Sequence, residues 1–367
     1  MKIGIDAKWF FKDDNPSGKV TTRNIVEYLV EISAPHQLYI FLRSEDRHKK
    51  FPYTANNVHL IYLWSGINML SNVFVLPFAA YKYKLDSVLF QSFVSFLFRK
   101  RKVAFIYDCI YLTNPEYFSW KERVYSFPLK YLARGADAVV TISDSERQRI
   151  TRMMQISEEK IFVAHCSISD DYKQKEAIPE SIRNTVLEKY GLPKEYLLYV
   201  GRLNRRKNLA NLLKAFSLLS NKNIHLLLVG SSEGKASDIH HIITSLDLAD
   251  RVMILGYVPD DELRVLYSLA KVFCYVSFDE GFGMPPLESM ACGVPAVVSN
   301  TGSLPEVCAD AGMYADPHDP EDIADKIDSL LVDSHLYGIM KERALKNVLR
   351  FSWNRSAEII LETLLTP

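Results

Sequence analysis

Along the chain, short runs of branched and aromatic residues alternate with longer stretches in which apolar residues recur every three or four positions. The short runs predict strands, and the 3.6-residue period predicts helices with one buried face. In the first half the predicted strands are Ile3–Ile5, Leu38–Leu42, Val58–Leu63, Ser87–Phe90, Val103–Tyr107, Ala138–Thr141 and Ile161–Val163, with a helix over Thr22–Ile32. In the second half they are Tyr196–Val200, His225–Val229, Val252–Leu255, Val272–Tyr275 and Ala296–Val298, with a helix over Leu209–Leu219. Such alternation marks parallel sheets covered by helices, so the predicted class is α/β. The polar stretch Asp170–Glu180 lacks periodic apolar residues and reads as the connection between two domains. Two doubly wound domains facing a central cleft are expected, with ligands at the carboxyl ends of the strands.

Length and charge narrow the classes. The 367 residues suit two domains, and the 44 basic residues balance the 44 acidic ones, so nothing calls for nucleic acid as a partner. The five cysteines are scattered without a C-x-x-C pair, which points to a reducing compartment and away from zinc. An acidic residue, Asp6, stands where a secretion signal needs apolar ones, and no apolar run reaches the roughly 20 residues of a membrane span. A cytoplasmic location is expected. The run Phe96–Lys102 combines aromatics with four basic residues, and it reads either as a solvated turn or as peripheral contact with an anionic membrane surface.

The candidate chemistry lies on strand-to-helix loops. Gly201-Arg202-Leu203-Asn204-Arg205-Arg206-Lys207-Asn208 follows a predicted strand; Arg202 and Lys207 can turn inward onto a diphosphate, or the loop is merely basic and solvated. Cations at a helix start oppose its dipole, which favours a bound anion. Glu280-Gly281-Phe282-Gly283-Met284-Pro285-Pro286-Leu287-Glu288 offers glycine amides and two carboxylates able to accept sugar hydroxyls, although Glu288 also suits a helix dipole. In the turn Ser299–Glu306, Ser303 and Glu306 have capping-box spacing as an alternative to anion binding. In the first half, the turn Asn15–Lys19 with Gly18 is expected to follow the first strand, and Asp108 ends a strand as either a sugar contact or a turn-former.

With these residues in hand, the second half resembles the family 4 glycosyltransferases, retaining enzymes of the GT-B fold. The resemblance runs through Gly201-Arg202-Leu203 with Lys207-Asn208, Glu280 with Glu288 as the family's E-x7-E, and Gly302-Ser303-Leu304-Pro305-Glu306. Gly256-Tyr257-Val258-Pro259 is similar to the nucleobase loop, and Phe351-Ser352-Trp353 to the start of the final helix. The resemblance implies domains at 1–172 for the acceptor and 173–350 for the donor, with 351–367 crossing back to the first. It implies that Arg202 and Lys207 bind the diphosphate, and that Glu280, Gly281, Phe282, Gly283 and Met284 bind the donor sugar. Glu288 then binds ribose, Tyr257 and Val258 the base, and Gly18 and Asp108 add contacts from the first domain. In this chain Tyr107 stands where the family often has His, and Ser17-Gly18 where it often has paired glycines.

The implied reaction moves a sugar from a nucleotide diphosphate to a carbohydrate or lipid-linked saccharide acceptor, with retained configuration, in cell-surface polysaccharide or glycolipid assembly. No cofactor is expected. No D-x-D triplet occurs to hold a metal, and the cationic loop can take that role. The alternatives are a related epimerase or glycogen-synthase-like polymerase, and a silent sugar-nucleotide sensor or scaffold.

Overall fold

The structure, a computed structural model, describes residues 1–12, 16–231 and 236–366; the side chains of 16, 17 and 236–238 fall outside that description. Contacts divide the chain into two units, Met1–Cys166 with Ser352–Pro367, and Ser167–Phe351. The sequence places the corresponding breaks at 172/173 and 350/351. Within the expected connection, Lys175–Ala177 forms a single 3-10 turn and a helix begins at Glu180.

The first unit is a seven-stranded sheet of β1 (Lys2–Asp6), β2 (Gln37–Arg43), β3 (Val58–Leu63), β4 (Ser87–Gln91), β5 (Arg101–Ile106), β6 (Ala138–Thr141) and β7 (Ile161–Val163). Their order is β3-β2-β1-β4-β5-β6-β7, and every pair is parallel. The chain reverses its direction of winding between β1 and β4. Helices cover both faces, so β4 and β6 are buried throughout and read in sequence as unbroken apolar runs. β5 starts earlier than predicted and stops at Ile106, leaving Tyr107 and Asp108 beyond it.

The helix after β1 runs Pro16–Ile32, six residues longer at its start than the apolar period suggests. Proline suits a first helical turn because its missing N–H has no partner there. Gly18 therefore sits in the opening turn of a helix and not in a glycine turn. Asn15 and the side chain of Ser17 lie outside the described residues.

The final helix, Trp353–Leu365, belongs to the first unit. The Ser352 hydroxyl accepts from the Arg355 amide at its start, and Trp353, Ala357, Ile360 and Leu364 form its buried stripe. Arg101 Nε donates to the Thr363 carbonyl at 2.7 Å, and the Ser356 hydroxyl donates to the His165 carbonyl.

The second unit holds β8 (Tyr196–Val200), β9 (His225–Val229), β10 (Val252–Gly256), β11 (Val272–Tyr275), β12 (Ala296–Ser299) and β13 (Gly312–Ala315). Their order is β10-β9-β8-β11-β12-β13, again parallel throughout. The winding reverses between β8 and β11, so the loops that leave these strands diverge and open a crevice at their carboxyl ends. Those two loops carry Arg202–Lys207 and Glu280. The edge strand β13 was not predicted.

Candidate functional site

The loop after β8 is shaped by its glycines and asparagines. A Cβ on Gly230, at the end of β9, would lie 2.0 Å from the Gly201 carbonyl oxygen, so the two strand ends meet only because Gly230 has no side chain. The Asn204 side chain accepts from the Lys207 amide at 3.3 Å and caps a single 3-10 turn, Arg205–Lys207. Asn208 then takes the left-handed conformation at φ 57°, and its amide donates to the carbonyls of Val276 at 2.9 Å and Pro317 at 2.6 Å. Lys207 is thus held from both sides before the helix Leu209–Leu218 begins.

The side chain that results points into the sheet end. Lys207 Nζ donates to Glu280 Oε1 at 2.7 Å and to the Tyr275 hydroxyl. The Arg206 guanidinium donates to Glu280 Oε2 at 2.9 Å and to the Asp279 carbonyl at 2.6 Å. Glu280 is 6% exposed and Lys207 7%. Burial alone raises a carboxyl, but the charges of Arg206 and Lys207 outweigh it and hold Glu280 at about 2. For Lys207, burial is the largest influence and lowers its ammonium to about 8; Glu280 opposes the fall, while Arg206 and Arg202 add to it. Two cations, Arg206 and Lys207, meet the one Glu280 carboxylate, so the cluster keeps one net positive charge.

Arg202 is exposed on the same loop, and the Tyr199 hydroxyl donates to its carbonyl at 3.0 Å. Sequence reasoning paired Arg202 with Lys207 and overlooked Arg206. The available signal was the three-residue turn itself, which carries Arg205 outward and leaves Arg206 and Lys207 on the Glu280 side.

The Glu280 loop is clamped from β12. Gly302 has φ 62°, and a Cβ there would meet Asp279 Oδ1 at 2.7 Å and the Glu280 amide nitrogen at 2.9 Å. The buried Ser303 hydroxyl donates to the carbonyls of Glu280, at 3.0 Å, and Phe282. It makes no cap bond to its own helix, Leu304–Cys308, so the capping box offered as the alternative reading of Ser303 and Glu306 does not form. Gly281, Phe282 and Gly283 are buried, Phe282 standing edge-on to Phe351 at 5.6 Å, and Met284 opens the next helix, Met284–Ala291.

Glu288 lies one turn into that helix. Its Oε2 accepts from the Tyr267 hydroxyl at 2.7 Å, and Tyr172 also bonds to it. Burial raises its pKa against the pull of those two hydrogen bonds. At the carboxyl end of β10, Tyr257 is 78% exposed while Val258 beside it is buried.

In the first unit Asp108 is exposed, and its Oδ1 accepts from the Ile110 amide at 3.4 Å. Tyr107 turns inward, its hydroxyl 3.1 Å from Thr22 Oγ1. Beneath it, at the ends of β1 and β4, lies a buried polar group that sequence reasoning missed. Lys8 pairs with Asp6 at 2.8 Å and donates to Asn72, while Asp6 Oδ2 accepts from the Gln91 amide at 3.2 Å. Burial lowers the Lys8 pKa, with Asp6 opposing. The run Phe96–Lys102 is not one surface: Phe96 is exposed, Phe98 is fully buried, and Arg101 and Lys102 lie within β5.

Sequence comparison agrees with this geometry. Residues 183–347 match the family model of the glycosyl transferases group 1, and residues 18–172 that of glycosyltransferase family 4. The chain is 37% identical to O-antigen chain mannosyltransferase B of Escherichia coli, over 69% of this chain and 67% of that protein. It is 30% identical to the serotype-specific mannosyltransferase WbdA of Escherichia coli over 71% of this chain, but spans only 33% of that protein. In fold it resembles Anabaena Alr3699/HepE, solved in complex with UDP and glucose (TM-score 0.76, 18% identity, all of both chains). It also resembles WaaG, a glycosyltransferase involved in lipopolysaccharide biosynthesis (TM-score 0.72, 16% identity, all of both chains). The chain belongs to the group 1 glycosyl transferases and is built on the two-domain GT-B plan.

Proposed function

We propose that this protein moves a hexosyl unit from a nucleotide-diphosphate sugar to a hydroxyl of a carbohydrate or lipid-linked saccharide, with retention, during assembly of a cell-surface polysaccharide. The relatives' names point to mannose as the sugar. The observation that carries the reading is the Arg206–Glu280–Lys207 cluster, which keeps one net positive charge at the crevice between β8 and β11, with Arg202 on the same loop.

In this reading Arg202 and Lys207 meet the diphosphate, Glu280 and the loop Gly281–Met284 the sugar, Glu288 the ribose, and Tyr257 and Val258 the base. As the bond between the anomeric carbon and the phosphate oxygen breaks, the acceptor oxygen bonds to the same face of that carbon. The departing phosphate takes the acceptor's proton, and its growing charge is met by Arg202 and Lys207, with Arg206 offsetting Glu280. That surplus of charge supports transfer without a metal. Asp108 and Gly18, the latter at the start of the helix Pro16–Ile32, are assigned to sugar contacts made by the first unit. The five cysteines are free and buried, which supports a reducing, cytoplasmic setting.

A thermal-shift screen of UDP, GDP and ADP, with and without their sugars, tests the donor class. A ligand at 100 times its Kd stabilises by about 2.7 kcal/mol, which moves the midpoint of a domain of this size by about 5–10 °C. No shift with any nucleotide overturns the reading.

A further inference from the structure

A buried tyrosine needs a partner for its hydroxyl, whereas a phenylalanine fills the same space without one. Tyr275, the last residue of β11, is 1% exposed, and its hydroxyl accepts from the Lys207 ammonium. Burial above all, and then the charge of Glu280, push the Tyr275 pKa well above its usual value, so the hydroxyl stays neutral. The ring is fixed by two neighbours. Phe273, two residues earlier on the same face of β11, stacks with it at 5.9 Å, the planes 20° apart. Tyr199, from the neighbouring β8, stacks with it at 6.0 Å and 21°. Tyr267 packs against Phe273 in turn at 5.4 Å. A ring held in this way fixes where its hydroxyl lies, and Lys207 has to meet it there.

An ammonium carries three hydrogens. Lys207 gives one to Glu280 Oε1 at 2.7 Å and one to Tyr275, and the third has no partner among the described residues. Two fixed acceptors determine the direction of the third N–H. Glu280 alone would not, since Nζ could turn about a single hydrogen bond and swing its other hydrogens around it. The Tyr275 ring adds to the hold, with Lys207 Nζ 4.7 Å from its centre. Gly201 lets the loop pass close to the two tyrosines: a Cβ there would lie 2.8 Å from the Tyr199 hydroxyl and 3.6 Å from the Tyr275 ring.

We propose that Tyr275 is a positioning residue for the transfer reaction: its hydroxyl, together with Glu280, aims the third hydrogen of Lys207 at the phosphate oxygen that leaves the donor. The inference rests on the reading of Lys207 as a diphosphate contact and adds the residue that gives its charge a direction. A donor already aimed at the leaving oxygen strengthens as charge gathers there and needs no reorganisation at that moment. A cation free to turn does less. The competing role for Tyr275 is that of a core residue alone. Tyr275→Phe separates the two, because it keeps the ring, its stack and the cation–π contact and removes only the oxygen.

The test compares wild type, Y275F, K207A and K207A/Y275F in transfer from the nucleotide sugar that the thermal-shift screen selects. Y275F should lower kcat about tenfold while the donor KM changes less than about threefold. In the K207A background it should change kcat by less than about twofold, because it acts through Lys207. A second readout needs no ligand. The groups facing Lys207 Nζ are Tyr275 on β11, Glu280 on the loop that follows, and Arg206 and Arg202 on its own loop. A hydrogen bond from the ammonium favours the charged form, so removing the oxygen should take Lys207 below its present value of about 8. In thermal melts, the stability this group adds as pH rises should then begin at a lower pH in Y275F than in wild type. If the donor reading fails, transfer is absent from every variant while this shift remains, so the two failures are told apart. An unchanged kcat, an equal loss in both backgrounds, or a pH onset that does not move overturns the proposal.

Discussion

Replacing Arg206 with Met keeps the side-chain stem and removes the guanidinium that Glu280 and the Asp279 carbonyl share. A hydrogen bond to a charged group is worth about 1.5–3 kcal/mol. Arg206 is 20% exposed, so water screens part of its charge, and about 2 kcal/mol is expected for R206M. In a domain of this size that lowers the melting midpoint by about 4–8 °C. The pH dependence changes as well. Glu280, held at about 2, contributes stability above its unfolded pKa that is lost as pH falls through the folded one. Without Arg206, burial pushes Glu280 back up, so the variant should lose stability at a milder pH than the wild type. The net charge of the cluster drops from one to zero, and kcat/KM should fall about tenfold, some 1.4 kcal/mol of transition-state stabilisation. Calorimetric melts of wild type, R206M, E280Q and the double variant, at neutral and acid pH, measure the coupling directly. At least about 1 kcal/mol of interaction energy is expected; additivity within about 0.5 kcal/mol would refute the cluster.

Lys207→Ala should lower kcat/KM by about 10²-fold, because it removes a charged donor whose bond strengthens as the leaving phosphate gains charge; unchanged kinetics would place Lys207 outside the reaction. Since Lys207 sits at about 8, nucleotide affinity measured by titration calorimetry should decline as pH rises past that value, and K207R should not show the decline. Stability moves the other way: from about 8 to 10.5 the unfolded chain still holds the proton that folded Lys207 has released, so this group adds stability as pH rises through that window. Gly302→Ala combines a left-handed φ with a Cβ less than 3 Å from the Glu280 amide nitrogen, and should cost about 1–3 kcal/mol in thermal melts together with a loss of transfer. A fully active, equally stable G302A would remove the clamp from the account.

Strand patterns were legible where a strand is buried on both faces, as in β4, β6, β8 and β11, because hydrophobicity alone then marks them. β13 was not, because it is a partly exposed edge strand that opens with Gly312. The loops carrying Lys207 and Glu280 were legible as loops, since a glycine beside the end of an apolar run fixes where a sheet ends, and Glu288 was legible as lying just inside the helix that follows. Their internal wiring was not. Which of three adjacent basic residues meets Glu280 depends on the pitch of one 3-10 turn, and Ser303 bonds the Glu280 loop because Gly302 lets the backbones approach. The Asp6–Lys8 pair escaped notice because charges beside a strand read as solvated until topology brings Asn72 and Gln91 against them. Gly18 was misplaced because proline was read as a turn residue when it opens a helix.

The central claim is that the charges on the β8 and β11 loops support transfer with retained configuration and without a metal. The most direct measurement follows the anomeric proton by NMR during transfer from the donor chosen by the thermal-shift screen, with EDTA present throughout. The account predicts a glycoside with the anomeric configuration of the donor, formed at a rate that added Mg²⁺ or Mn²⁺ leaves unchanged. An inverted product, or transfer that stops in EDTA and returns with metal, would contradict it.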